Sequence, residues 1–339
     1  MNVSESKSYF AMKIIVVGGG VVGLTTALSL LEAGHRDVKI MAESFDDTTS
    51  HVAGAVWRPF ALSENSSTEA IDRWGHATML WLTKIMEQYG TDTVGVQRTP
   101  GCEYHDHPTT SHPYWAHSVE NFRFLTPDEA QAQGNTPYGF SYTTLMINPG
   151  KLMLWMRRQI EMRGGRFEQA HVTNLDELQC DYIVNCTGLG SGQLLNDKNV
   201  FPVRGQTIKI QNDQIKNFYL REIDHVYTYI LPRPGGQVVL GGTVEAHNYS
   251  TTCNQEDIKA ILARTSSLCP AVVGSKILGT KAGLRPQTTT GVVLKADSRR
   301  NKHGALVIHN YGHGGSGHTL HWGCAQEVLQ WIVPGHAKL

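Results

Sequence analysis

Three glycines spaced Gly18-x-Gly20-x-x-Gly23, with Glu43 twenty residues further on, point most directly to chemistry in this chain of 339 residues. Glycine at the first position lets a buried strand turn sharply. The second lacks the Cβ that would hold a pyrophosphate off the backbone, and the third lets the following helix lie close to the strand. That helix begins at Val21 and Val22, where unpaired N–H groups and a partial positive charge favour phosphate oxygens. A carboxylate at Glu43 can accept from both hydroxyls of an adenosine ribose and would repel a 2′-phosphate. The motif reads as a site for an ADP-containing dinucleotide, without separating FAD from NAD. A second glycine-rich turn, Gly312-His313-Gly314-Gly315-Ser316-Gly317, again lies between a strand and a helix. A helix N-terminus there would stabilise negative charge on a reduced flavin. Two such turns at opposite ends of the chain favour FAD, whose redox-active end needs its own cradle.

Arg285 sits in the mostly apolar stretch Ala282-Gly283-Leu284-Arg285-Pro286. An arginine so placed is usually at the surface or paired; if buried it needs an anion, and a carboxylate matches its planar fork. Tyr227 and Tyr229 alternate along a strand and share one side, where aromatic residues more often pack than bind ligands. Cys102, His105, His107 and His112 fit no zinc spacing, so no metal is expected. Ser191 and Ser316 each lie between glycines, but neither is in G-x-S-x-G, which removes a serine-hydrolase reading.

These residues need elements to position them. Ile14–Val17 reads as a buried strand, followed by a helix and a second strand at Val38–Ala42, a βαβ unit. Residues 48–60 read as a loop in which Ala53, Gly54 and Ala55 leave room for a flat ring. A helix is predicted over 68–89 from the spacing of Ile71, Trp74, Met79, Leu82 and Met86, and another over 149–163. Residues 100–118, rich in His and Pro, read as loop. A parallel strand is expected at 181–188. Short strands at 207–210, 226–231 and 237–241 are broken by Pro232-Arg233-Pro234-Gly235-Gly236. A strand at 305–308 and a helix from Thr319 to Ile332 complete the reading. The expected fold class is α/β: an FAD-binding Rossmann-like domain with an inserted mixed or antiparallel β-sheet substrate domain. The first would comprise 12–60, 145–200 and 280–339, the second 61–144 and 201–279.

Charged residues are 18% of the chain and the net charge is zero with His neutral. Such a balance argues against a nucleic-acid partner, and no apolar run reaches the length of a membrane span. Residues 1–11 read as a short polar extension rather than a signal peptide. The six cysteines contain no C-x-x-C pair and read as free thiols. The C-terminal Ala337-Lys338-Leu339 is one residue from the S-K-L peroxisomal address, so peroxisomal import is expected.

Several blocks resemble D-amino-acid oxidases: Val16–Gly23, His51–Pro59, Val184–Gly188, Pro202–Gln206, Tyr229–Gly242, Gly283–Pro286 and His309–Gly323. They stand in family order. The resemblance implies non-covalent FAD, two domains, and oxidative deamination of D-amino acids to 2-oxo acids and ammonia, with O2 reduced to hydrogen peroxide. It implies hydride transfer from the substrate Cα to flavin N5, with no side chain required as base. Carried over by position, Arg285 would hold the substrate carboxylate, Tyr229 would donate to it, and the Gly315 carbonyl would accept from the amine. The family has a second tyrosine in an active-site lid; the ungapped position is His225, and Tyr227 is the substitute. The cofactor contacts implied are Gly18, Gly20, Glu43, Ser44, Thr49, Ser50, Gly54, Ala55, Val56, Val172 and Thr187, with Gly314, Gly317, His318 and Thr319 from the second turn. The partners expected are a D-amino acid, O2, a second copy of the chain as a homodimer, and the peroxisomal import receptor.

The neighbouring alternative is a D-aspartate or D-glutamate oxidase. That branch commonly carries arginine after Gly-Gly-Thr, where this chain has Val244, and serine where it has Gly315. Both departures favour neutral substrates, although Arg221 lies near the lid and could meet an acidic side chain. A flavin-fold binding protein without turnover and an NAD-dependent dehydrogenase are the alternatives from other classes.

Overall fold

The structure is a computed structural model describing residues 12–109 and 111–332; the polar extension 1–11 and Ala337-Lys338-Leu339 lie outside the described residues. A six-stranded sheet carries the first glycine motif. Its strands are β1 (Lys13–Val17), β2 (Asp37–Ala42), β6 (Arg166–Gln169), β7 (Tyr182–Asn185), β14 (Val293–Arg300) and β15 (Leu306–Tyr311), in the order β14-β15-β7-β1-β2-β6. All are parallel except β14, which runs antiparallel at the edge. Ile14, Val16, Ile183 and Val184 are fully buried, as strands covered on both faces require. The helix Val21–Glu32 links β1 to β2, and β7 pairs on the other side of β1. The strand order therefore reverses at β1, which opens a crevice at its C-terminal end, where ligands bind in open α/β sheets. The helix Gly317–Trp331 packs on Val21–Glu32 and on Thr68–Tyr89, with Trp322 stacked on Trp81 at 4.5 Å.

The second sheet has nine strands. They are β3 (Val96–His105), β4 (Glu120–Phe124), β5 (Tyr138–Ile147), β8 (Val200–Gln211), β9 (Phe218–Ile223), β10 (Val226–Pro232), β11 (Gln237–Gly241), β12 (Glu245–Ala246) and β13 (Lys276–Thr288). The order is β12-β8-β11-β10-β9-β3-β5-β4, with β13 on the free side of β8. The β3–β9 pair is parallel and the others antiparallel, so the sheet is mixed.

Several expectations need correction. Residues 100–105 are not loop but the end of β3. Pro100 is tolerated because β3 pairs only with β5 there; its pairing with β9 starts at Gly101, so the missing N–H breaks no second ladder. Residues 49–52 of the expected loop form one helical turn, capped by Thr48 and His51. Residues 280–288, assigned from sequence to the first domain, hydrogen-bond along β8 in the second sheet. The helix over 68–89 runs Thr68–Tyr89 as read.

Candidate active site

One cavity of about 510 Å³ joins the β1 crevice to the face of the nine-stranded sheet. At the β1 end, Gly18 has φ +128°, and a Cβ there would sit 2.3 Å from the Cys186 carbonyl oxygen, so only glycine makes this turn. Gly23 does not line the cavity. A Cβ on it would meet the Gly18 carbonyl at 2.0 Å, so its role is helix-to-strand packing rather than ligand contact. Gly20 is different. An added Cβ would meet only the Ser50 hydroxyl oxygen, at 3.1 Å, and the residue otherwise faces the cavity. Val21 N–H donates to Ser50 Oγ at 3.0 Å, which ties the helix start to the turn at 49–52. Glu43 reaches the cavity at the end of β2, ion-paired with His171. Ser44, Val22, Val172 and Thr187 line the same end.

The middle of the cavity is bounded by Thr49, Gly54, Ala55 and Val56 on one side and Gly314, Gly317 and His318 on another. Ala55 has φ +58°, a conformation that costs a non-glycine residue energy and clusters at functional sites. Thr319, expected among the contacts, is buried outside the lining, and its hydroxyl donates to the Arg58 carbonyl at 3.1 Å. His318 Nε2 donates to the Ser50 carbonyl at 3.0 Å, which leaves Nδ1 buried without a partner. His313 Nε2 and Asn310 Oδ1, on residues of the same wall, are also buried and unpaired. Burial pushes both His313 and His318 down to about 4, so the rings are neutral. Arg233, missed in the sequence, is buried and donates to the carbonyls of Ala53 and of Gly54 (3.0 Å), holding the backbone that faces the cavity. Its only sequence signal was a cation between two prolines, which reads equally as a turn.

Arg285, Tyr227, Tyr229 and Gly315 all line the cavity. Arg285 Nη1 donates to the Thr243 and Arg204 carbonyls at 3.2 and 3.3 Å. No ion pair neutralises it among the described residues, and its guanidinium lies 5.9 Å from the Phe60 ring. Tyr229 lies beside Arg285, and its ring packs on Gly241 and Gly242, where Cβ atoms would collide with it. Burial raises its hydroxyl pKa, so it stays a donor. Tyr227 meets Phe60 edge-on at 4.9 Å. No lid loop separates β9 from β10: the strands join through Asp224 and His225 alone, at φ +49° and +59°, the backbone of a two-residue hairpin turn. Cys102 and His105 point to opposite faces of β3, so the C-x-x-H residues do not converge.

Arg58 was also missed. It is part-buried in the cavity wall, paired with Glu103 and donating to the Pro59 carbonyl at 3.0 Å. The Tyr142 hydroxyl donates to Glu103 at 2.8 Å. The Trp-Arg-Pro-Phe sequence gave no sign of the pair, because Glu103 comes from a strand read as loop.

The empty space in front of Gly20, the unpaired buried polar atoms and the length of the cavity fit a flavin dinucleotide. Fold and site together define a flavin-dependent oxidoreductase. The FAD dependent oxidoreductase family model matches residues 13–331. The chain is 32% identical over 335 residues to the D-amino acid oxidase of Dugesia ryukyuensis, covering 95% of this chain and 97% of that one. It is 33% identical over 326 residues to human D-aspartate oxidase, with 94% of each covered. Glycine oxidase from Bacillus cereus superposes with a TM-score of 0.75 at 21% identity, covering 95% and 94%, a likeness of fold. The chain belongs to the D-amino-acid oxidase family of FAD-dependent oxidoreductases.

Proposed function

We propose that this chain oxidises D-amino acids, neutral ones in preference to acidic ones, to 2-oxo acids and ammonia with O2 as the final acceptor. The observation that carries the reading is a guanidinium in the cavity wall, Arg285, with a tyrosine hydroxyl beside it and no carboxylate to match it among the described residues. A substrate carboxylate completes that pair. FAD, when bound, supplies the two-electron acceptor. Arg285 holds the carboxylate, Tyr229 donates to it, and the Gly315 carbonyl takes an amine N–H. With carboxylate, amine and side chain each fixed, the hydrogen on Cα has one direction for each enantiomer. The protein's contribution is orientation and electrostatics.

Two features support neutral over acidic substrates. Val244 is 43% exposed and outside the cavity lining. Arg221 touches the cavity edge, but its Nε donates to the Gly134 carbonyl at 2.8 Å, on the opposite face of the sheet. Arg285→Ala should lower kcat/KM for D-methionine ~100-fold or more while flavin content is retained, since breaking a buried charged pair costs about 3–5 kcal/mol. A kcat/KM within a few-fold of wild type overturns the assignment. The same reading puts the chain in the peroxisome through Ala337-Lys338-Leu339, checked by localising a tagged chain with and without that tripeptide. A homodimer belongs to it too, and the mass in solution checks that. No helix among the described residues is long and apolar enough to cross a membrane.

A further inference from the structure

The cavity wall beyond Phe60 carries a charge that the carboxylate site does not use. Strand register decides which side chains face it. Tyr229 pairs with Leu220 and Tyr227 with Glu222 across β10 and β9. Glu103 pairs with Leu220 across β3 and β9. Residues directly opposite point to the same face of a sheet, so Glu103, Leu220, Glu222, Tyr227 and Tyr229 all face one way, and all line the cavity. Arg221 opposes Thr228 and Tyr104, and faces the other way.

The charges on the cavity face can then be matched. Glu103 is taken up by Arg58 and by the Tyr142 hydroxyl. Glu222 forms no ion pair among the described residues; the Tyr227 hydroxyl lies beside it, and the cation that feels its charge, Arg58, is already paired with Glu103. His105, its neighbour on β3, is buried and adds no compensating charge, since burial lowers its pKa. From Arg285 the wall passes to Phe60, then edge-on to Tyr227, then to Glu222. A side chain leaving the Cα of a substrate held at Arg285 follows two aromatic faces to a carboxylate.

We propose that Glu222 is a specificity-determining residue that receives the cationic end of a D-amino acid such as D-arginine or D-lysine and disfavours D-aspartate and D-glutamate. The inference rests on the D-amino-acid oxidation proposed above. Phe60, which already has the Arg58 and Arg285 guanidiniums beside its ring, suits the aliphatic stem, and Tyr227, next to Glu222, suits the charged end. An acidic side chain would face Glu222, with the nearby Arg58 already committed to Glu103.

The test compares kcat/KM for D-arginine, D-methionine and D-aspartate in the flavin-loaded wild type, Glu222→Gln and Glu222→Arg. Gln keeps an acceptor for Tyr227 and removes only the charge. The D-arginine to D-methionine ratio should fall about tenfold in Glu222→Gln, the order expected for one partly exposed charged hydrogen bond. In Glu222→Arg the ratio of D-aspartate to D-methionine should rise by at least as much. Flavin absorbance reports that each variant is loaded. An unchanged D-arginine to D-methionine ratio in Glu222→Gln overturns the inference while leaving the D-amino-acid reading intact. A wild type that oxidises D-methionine but not D-arginine overturns it too. A wild type that oxidises no D-amino acid removes both.

Discussion

Gly205 does no chemistry and decides where chemistry happens. A Cβ there would lie 2.2 Å from Arg285 Nη2 and 2.5 Å from its Cζ, so the guanidinium reaches the cavity by passing over a bare backbone. Gly205→Ala should push the guanidinium off its present line and lower kcat/KM about tenfold or more, chiefly through KM, because a carboxylate pair is sensitive to small misplacements. In an Arg285→Ala background the same substitution should cost little more, since both changes act on one interaction. Steady-state kinetics of the two single variants and the double variant decide it; additive losses would mean that Gly205 acts elsewhere. Neither Gly205 nor its neighbours in Val203-Arg204-Gly205-Gln206 announce such a role in sequence. The constraint arises only when β13 is laid along β8.

Elements built from local pattern were legible before the structure. β1, the helix after it and β2 carry an unbroken apolar run, a 3.6-residue period and a glycine turn, all within 30 residues or so of one another. The helix Thr68–Tyr89 announced itself by the same period. β3 did not, because Pro100 and Gly101 read as a break, and only the one-sided pairing at Pro100 reconciles them with a strand. β13 was hidden for another reason. Its first residues, including Ile277 and Leu278, are exposed, and its apolar content does not alternate cleanly. The carboxylate site proposed at Arg285 was therefore reached through resemblance rather than pattern, and Arg58, Glu103 and Arg233, whose contacts lie far along the chain, were not reached at all. The two-residue turn at Asp224-His225 was equally invisible, since the resemblance led to the expectation of a lid.

At the scale of the whole molecule, the turn before the last helix and that helix bury His313 and His318. His313 and His318 both titrate at about 4 in the folded chain against an ordinary value of 6.5, because burial disfavours the charged ring. Between these values the unfolded chain binds more protons. Stability is thus whole above pH 6.5 and is lost as the pH falls toward 4, by ~3 kcal/mol for each ring over the full window. The melting temperature of the loaded protein should fall steeply between pH 6.5 and 4.5. His318→Leu, which removes one of the protons taken up, should make that slope shallower. Thermal melts across that range, followed by flavin fluorescence and by circular dichroism, measure it; a slope identical in the two proteins would place the acid sensitivity elsewhere.

The order of the six-stranded sheet has a consequence for synthesis. β1 is made before every other strand and β15 after them, yet β15 lies between β7 and the edge strand β14. The helix that closes the flavin cavity follows β15 immediately. A nascent chain can therefore bring β1, β2, β6 and β7 together while one face of the sheet and one wall of the crevice are still missing. Until residues 306–331 leave the ribosome, the apolar strand β7 has an open edge, and the Rossmann-like half has no place to keep its cofactor. Loading with FAD therefore follows the synthesis of residues 306–331, and the interval before it is when the open edge of β7 most needs covering.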